Sequence, residues 1–442
     1  MDYELSLSYH NPMTNKTAVL IILALSIITH FAFFGYPNET VFDEVHFGKF
    51  VSGYYTGEYY FDIHPPLGKL MIAGFAKLFD FKPEFSFTEI GKEFPDNKYL
   101  VLRFLPALAG LLLPLIVYLL ILELGMSRIA AFTGGLLIVF ENALLTQSRF
   151  ILLDSFLFLF GFASLLLYFK KRYLLMAVFG GLAVSIKWVG LSFIALPILI
   201  EVYTLWFPAR DGSAFGRKGR SFVNFSKFTS YFIISAAVYF LAFALHFTFL
   251  PNPGSGDAFM KPDFRKNNMV KNIWDLNIEM YKSNQRLTAT HPYSSQWYTW
   301  PLMIRPIYYW VKDSARIYLF GNPVIWWASM IAVAISIKYL VLSIKKRAPD
   351  KVLAILLGGY FLNLLPFIGV KRVMFLYHYL TALIFAIMML CYLVDKSKNS
   401  RKIFAGTVIA AIAAFIFFAP LSYGLPLSQK TYEARVWFAS WR

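Results

Sequence analysis

Three observations predict an all-α, polytopic membrane protein. Hydrophobic residues make up 58% of the 442 positions and charged residues only 15%, against about a quarter charged in an ordinary soluble domain. Apolar stretches near the length needed to cross a bilayer, roughly 20 residues, recur along the whole chain. The short polar segments between alternate stretches are rich in Lys and Arg, as cytoplasmic ends of membrane helices are.

Eleven such stretches are predicted as transmembrane helices, at about 17–35, 100–122, 129–145, 151–169, 173–187, 188–206, 228–249, 322–342, 352–367, 373–394 and 403–421. The first is too long for a signal-peptide core and lacks a small-residue cleavage site, so it is read as a retained helix. The boundary at Ser185-Ile186-Lys187-Trp188 admits two short spans with a tight turn or one broken helix. A cytoplasmic N-terminus places 1–16, 123–128, 170–172, 207–227, 345–351 and 395–402 inside, where they hold most of the basic excess. Lys170-Lys171-Arg172 and Lys345-Lys346-Arg347 are its clearest markers, and eleven spans then put the C-terminus outside. The formal charge of +17 is therefore an orientation signal first and a source of contact with anionic headgroups second. Nucleic acid is not an expected partner.

Two long loops fall outside, at about 36–98 and about 250–321; the first is acidic and the second rich in Pro, Asn, Trp and Tyr. No repeat or interdomain linker divides the chain, so residues 1–442 are expected to form one membrane domain. The lone Cys391 excludes an intramolecular disulfide.

Nearly every polar cluster lands on the outer side. Asp43-Glu44 opens the series, immediately after the first span. Burial beside lipid raises the pKa of at least one of two adjacent carboxylates, and an ionised carboxylate near a hydroxyl is a general base. His46 and Asp62 stand close by, and His64-Pro65-Pro66 fixes its own backbone. The following stretch, Leu67 to Phe79, reads as an amphipathic interfacial helix. His64 and Lys69 there are candidate contacts for a lipid phosphate. Arg103 sits just inside apolar sequence with a planar fork suited to phosphate. Arg149 and Asp154 admit two readings, a mutual ion pair or separate roles in a site. Lys187, Lys371-Arg372 and Tyr377-His378-Tyr379 add outer-side cations and a histidine able to neutralise a leaving phosphate. No phosphate loop, dinucleotide fingerprint or metal-ligand spacing such as HExxH occurs.

The ordered set of motifs resembles the protein O-mannosyltransferases, glycosyltransferase family 39. It runs through Phe42-Asp43-Glu44-Val45-His46-Phe47-Gly48-Lys49, Asp62-Ile63-His64-Pro65-Pro66-Leu67-Gly68-Lys69, Arg103-Phe104-Leu105-Pro106-Ala107, Asn142-Ala143-Leu144-Leu145-Thr146-Gln147-Ser148-Arg149, Lys187-Trp188-Val189-Gly190 and His291-Pro292-Tyr293-Ser294-Ser295-Gln296-Trp297. Glu141 and Thr381 stand where the family pattern leads one to expect Asp and Pro. The resemblance implies a GT-C fold of about eleven membrane helices. It also implies inverting transfer of mannose from a polyprenyl-phosphate mannose to Ser or Thr of an exported polypeptide, without a metal or other cofactor. Carried over, Asp43 is the base and Glu44, counted with it as catalytic, its neighbour in acceptor or site organisation. Arg103, His64, Lys187, Arg149, His378 and Arg372 are donor-phosphate or lipid contacts. His46, Asp62, Asn142, Gln147, Asp154 and His291 shape the site or meet the acceptor. Loop two is too short for the MIR domain of eukaryotic members. That implies a prokaryotic enzyme of the cytoplasmic membrane with its site facing outside, the ER membrane being the eukaryotic equivalent. A dimer is the assembly eukaryotic members suggest. The competing readings are another GT-C transferase acting on a lipid or glycan acceptor, and, less favoured, a transporter.

Overall fold

A computed structural model describes residues 15–206, 225–286, 290–346 and 348–442. The inside segments expected at 1–16 and 207–227 lie largely outside these residues, as does Arg347 of the basic marker at 345–347.

The chain folds mainly into helices: α1 (Asn15–Phe31), α2 (Glu44–Thr56), α3 (Leu67–Lys77), α4 (Tyr99–Glu123), α5 (Arg128–Val139), α6 (Asn142–Ser148), α7 (Asp154–Phe169), α8 (Tyr173–Ile186), α9 (Leu191–Trp206), α10 (Phe225–Phe249) and α11 (Met269–Arg286). A two-stranded hairpin, β1 (Ile307–Lys312) and β2 (Ala315–Leu319), follows; then come α12 (Pro323–Lys345), α13 (Lys351–Leu362), α14 (Leu380–Asp395), α15 (Ser400–Tyr423) and the short α16 (Gln429–Glu433). Among the described residues six helices are long and apolar enough to cross a membrane, or seven if the bent pair α5–α6 is one span. α1, α7, α8 and the segment Trp188–Val202 are apolar but shorter. α4, α7 and α14 form the interior; α10 and α15 present much of their surface outward, as lipid-facing helices do.

The stretch expected as one helix at 129–145 is broken, its two halves bent by 57°. The freed polar groups find partners within the protein, as they must at membrane depth. Glu141 Oε2 accepts the Leu144 N–H at 2.7 Å and so caps α6, while its Oε1 accepts the Asn322 N–H at 2.7 Å. Asn322 returns the favour through its amide, donating to Phe140 O at 2.9 Å and Ala411 O at 2.8 Å. The longer Glu is thus accommodated where Asp was expected. The break carries Gln147 and Arg149 beneath loop one.

At the second ambiguous point two helices form. α8 ends at Ile186, Lys187 takes an extended backbone, and a 3₁₀ turn over Trp188–Gly190 starts the next segment. α3 forms where an interfacial amphipathic helix was expected.

The all-α expectation needs one correction. Loop two contains the β1–β2 hairpin, closed by Asp313-Ser314 with Asp313 at φ 51°. Its signal is present in the sequence: Ile307-Tyr308-Tyr309-Trp310-Val311 and Ile317-Tyr318-Leu319 are β-branched and aromatic around a two-residue loop. The register slips between Tyr308 and Trp310, leaving Tyr309 as the extra residue of a bulge, a device that re-aims a side chain. Tyr309 turns toward loop one, stacking on Phe42 with ring centroids 4.0 Å apart.

Gly190 tests the α8–α9 junction. A Cβ there would lie 2.4 Å from the Ala183 carbonyl carbon, so backbone would have to move. Gly190→Ala should cost about 1–3 kcal/mol. Gly74→Ala in α3, where an added Cβ meets nothing within 4 Å, should be neutral or slightly stabilising. Thermal unfolding of the two purified variants in one detergent checks the contrast.

Candidate active site

The site begins with the problem of ending α1. The last carbonyls of a helix have no intrahelical partner, and here the chain continues directly into loop one at the membrane edge. Arg149, at the end of α6, meets this need: its guanidinium donates to the carbonyls of His30 at 3.1 Å, Ala32 at 2.7 Å and Phe33 at 2.7 Å. Arg103 from α4 takes over where Arg149 stops, donating to Gly35 O at 2.9 Å, Pro37 O at 2.7 Å and Glu39 O at 2.7 Å. Its remaining N–H groups reach Glu44 Oε1 and Oε2, both at 2.7 Å. All the donors of that guanidinium are then engaged. The rings of Tyr99, Phe94 and Phe150 surround it.

Two expectations are corrected here. Arg103 and Arg149, expected as phosphate contacts, are buried and hold backbone carbonyls between His30 and Glu39 instead. Glu44, expected beside the base, is fully buried. It accepts not only Arg103 but also the backbone N–H of Val41 at 2.8 Å and of Ile151 at 2.9 Å. Glu44 and the two arginines are positioning residues. The expected alternative of an Arg149–Asp154 ion pair is replaced by Lys187–Asp154, with Nζ 2.8 Å from Oδ1.

Asp43, one residue before α2, points the other way. It lines a cavity of about 490 Å³ together with His46, Asp62, His64, His291, Arg372 and Tyr377. Among the described residues its carboxylate accepts no hydrogen bond, in contrast to the saturated Glu44. Burial raises its pKa to about 6, with Asp154 adding to the rise and His46, Lys187 and Arg372 opposing it. Burial also pushes His64 well below the usual imidazole range, with Lys187 and Arg372 contributing, so it is neutral there. Burial lowers His291 in the same direction.

A second cavity of about 230 Å³ adjoins the first and shares Ile63, His64, Arg372 and Tyr377 with it. Lys187, Asp154 and His378 face it, amid an apolar lining that includes Leu157, Val189 and Phe367. Arg372 has no carboxylate partner among the described residues. Its Nη2 lies 3.5 Å from His378 Nε2, and the His378 ring stacks on Tyr377. Asp62 is paired with Lys69, which also donates to the carbonyls of His64 at 3.0 Å and Pro65 at 3.1 Å. Lys69, expected to meet phosphate, therefore clamps the His-Pro-Pro corner.

Gln147 does not line either cavity; it orients what does. Tyr309 donates to Gln147 Oε1 at 2.5 Å, and Gln147 Nε2 donates to Asp154 Oδ2 at 2.6 Å. Asp154 in turn holds Lys187. Asn142 lies apart, donating to Ser422 Oγ at 2.9 Å. Sequence reasoning missed Tyr309, whose role depends on a bulge register, and Tyr281, Asn284 and Gln285 of α11, which close the second cavity. The periodicity of α11 marks a helix; only the tertiary fold brings its polar face over the site.

Residues 20–250, more than half the chain, match the family described as dolichyl-phosphate-mannose-protein mannosyltransferase. This chain belongs to the protein O-mannosyltransferase family. Residues 269–441 match the C-terminal four-transmembrane region of protein O-mannosyltransferases. Dolichyl-phosphate-mannose–protein mannosyltransferase 1 of Candida albicans is 36% identical over 244 residues, 52% of this chain and 28% of that protein. The type 4 enzyme of Schizosaccharomyces pombe is 31% identical over 320 residues, 66% of this chain and 41% of that protein. The chain thus spans well under half the length of these relatives. Among solved structures, the Saccharomyces cerevisiae protein O-mannosyltransferase complex bound to the sugar donor superposes with a TM-score of 0.90 at 20% identity, covering 97% of this chain and 92% of that one. The Archaeoglobus fulgidus oligosaccharyltransferase gives 0.55 at 14% identity, over 96% of this chain and 57% of that one. These likenesses establish a polytopic membrane fold of the GT-C type.

The positioning role of the buried pair is open to test. Removing one partner of a buried ion pair costs about 3–5 kcal/mol, so Glu44→Gln and Arg103→Met should lower thermal stability sharply. Arg372→Gln, which breaks no ion pair among the described residues, should leave the unfolding midpoint near wild type.

Proposed function

We propose that this mannosyltransferase-family protein transfers mannose from a polyprenyl-phosphate mannose to Ser or Thr hydroxyls of an exported polypeptide, with inversion. The observation that carries the reading is Asp43. A carboxylate that accepts no hydrogen bond among the described residues faces a cavity that also holds Arg372, without a carboxylate partner among them, and next to it lies an apolar cavity with a lysine.

The acceptor hydroxyl attacks the anomeric carbon, the bond from that carbon to the phosphate oxygen breaks, and the lipid leaves as polyprenyl phosphate. Asp43 takes the hydroxyl proton. Arg372, with Lys187 close by, meets the charge developing on phosphate, where a dry site strengthens each contact. His64 and His378, at the meeting of the two cavities, donate or accept hydrogen bonds to the same group. His46 and His291 flank the acceptor approach, and Asp154 holds Lys187 in place. The stepwise logic is that of inverting glycoside transfer, by analogy. No metal takes part, so EDTA should leave the rate unchanged.

The same reading includes eleven membrane crossings: the six long helices, the bent pair and the four shorter apolar segments. The N-terminus is then cytoplasmic and the C-terminus outside. The site faces the outside of a prokaryotic cytoplasmic membrane, and the chain forms one catalytic membrane domain. Whether it acts as a dimer is read from its mass in detergent.

The reaction is tested by transfer of radiolabelled mannose to a Ser/Thr-rich peptide. Alkali-labile label should appear with wild type. Asp43→Asn should lower kcat by 10²-fold or more, as loss of a general base does, while donor binding survives. Because burial raises the Asp43 pKa to about 6, the ionised, proton-accepting form is lost as pH falls through that value. The rate should therefore fall about tenfold per pH unit below it and be flat from there to 8. A rate independent of pH between 4 and 8 would remove Asp43 from the base role.

A further inference from the structure

A third cavity, of about 490 Å³, lies at the opposite end of the helices from Asp43. It opens between the C-terminal ends of α12 and α14 and the start of α13, and no step of mannosyl transfer uses it. Its lining combines two chemistries. Lys346 and Lys396 face it, with Ser343, Ser397 and Tyr392 between them, while Tyr339, Leu342 and Leu393 form an apolar side.

The one acidic side chain on the wall is already committed. Asp350 Oδ1 accepts the Leu353 N–H at 3.0 Å, capping α13, and Oδ2 accepts the Tyr392 hydroxyl at 2.6 Å. Two lysines against this one carboxylate leave the cavity basic. Neither Lys346 nor Lys396 has an ion-pair partner among the described residues. Lys396 Nζ instead rests 5.3 Å from the centroid of the Tyr392 ring. Ser397 Oγ is buried without a hydrogen-bond partner, an arrangement that costs free energy unless something fills it. The apolar side continues onto lipid-facing surface: Tyr339 is 53% exposed and Leu342 41%. Two ammonium groups without an ion-pair partner among the described residues, an orphaned hydroxyl and an aromatic and aliphatic ramp opening to the bilayer fit one ligand class. Basic pockets between transmembrane helices on the cytoplasmic side take phosphate headgroups.

We propose that this cavity is a binding site for an anionic phospholipid of the leaflet opposite the active site. The phosphate sits between Lys346, Lys396 and Ser397, and the acyl chains run along Tyr339 and Leu342. The lipid ties the ends of α12 and α14 together across the start of α13, so its effect is on stability.

The test uses the purified full chain, delipidated in detergent. Its thermal midpoint is titrated with short-chain phosphatidylglycerol, short-chain phosphatidylcholine and inorganic phosphate in parallel. Saturable stabilisation by phosphatidylglycerol, absent with the other two, is expected. Lys346→Gln/Lys396→Gln should weaken it about tenfold or more, each lysine near an anionic lipid surface contributing to binding. Lys346→Arg/Lys396→Arg should keep it, and so should Lys398→Gln, which neutralises an exposed lysine outside the cavity. Equal stabilisation by phosphatidylcholine, inorganic phosphate acting at the same concentration as the lipid, or equal loss in Lys398→Gln would each overturn the site. These readouts do not involve mannose transfer, so they stand apart from the fate of the proposed activity.

Discussion

The placement of Asp43 depends on how the carbonyls from the end of α1 to the start of α2 are held. Five between the helices, and that of His30 in the last turn of α1, accept from Arg103 or Arg149, and Glu44 closes the set. A buried ion pair gains little against its desolvation cost when it stands alone. This one does not stand alone, because guanidinium and carboxylate are each saturated by further hydrogen bonds. The arrangement is self-consistent only in one backbone path, and that path decides where residue 43 points.

Adjacent carboxylates thereby receive opposite fates. Glu44 enters the protein and spends every lone-pair direction on neighbours. Asp43, its side chain on the other side of the chain, keeps its oxygens for whatever enters the cavity. The raised pKa of Asp43 follows from the same geometry: the wall is dry enough to penalise charge, while Lys187 and Arg372 are near enough to limit the penalty. The relay Tyr309–Gln147–Asp154–Lys187 works on the cation as the arginines work on the loop. It begins at a bulged residue of the hairpin, which is why a small piece of sheet persists in a helical protein.

Much of this was legible in the amino-acid order. Apolar length located the helices, because the bilayer sets a physical minimum. The clustering of polar residues in the sequence pointed to a shared candidate site. Asp43, His64, Lys187, Arg372 and His378 do come together around two joined cavities. The division of labour among charged residues was not legible. An arginine beside apolar sequence reads the same whether it awaits a phosphate or holds carbonyls 64 to 119 residues away; only the bend at Glu141 and the turn after α1 bring Arg149 and Arg103 under loop one. The pairing of Asp154 with Lys187 rather than Arg149 has the same origin. The hairpin signal was present but outweighed by the surrounding apolar spans.

On the proposed reading, the two cavities also answer a geometric demand of inversion. A single displacement needs nucleophile and leaving group on opposite faces of the anomeric carbon, so the base and the phosphate contacts cannot share one wall. Asp43 faces the larger, more polar cavity, Lys187 and His378 the smaller apolar one, and only Ile63, His64, Arg372 and Tyr377 belong to both. A sugar seated at that junction has a hydroxyl acceptor on the Asp43 side and a lipid phosphate on the lysine side. Arg372 lines both, so on this reading it can stay with the phosphate as the bond to the sugar lengthens. A charge that follows the leaving group stabilises the transition state more than the ground state, which is the condition for it to accelerate the step.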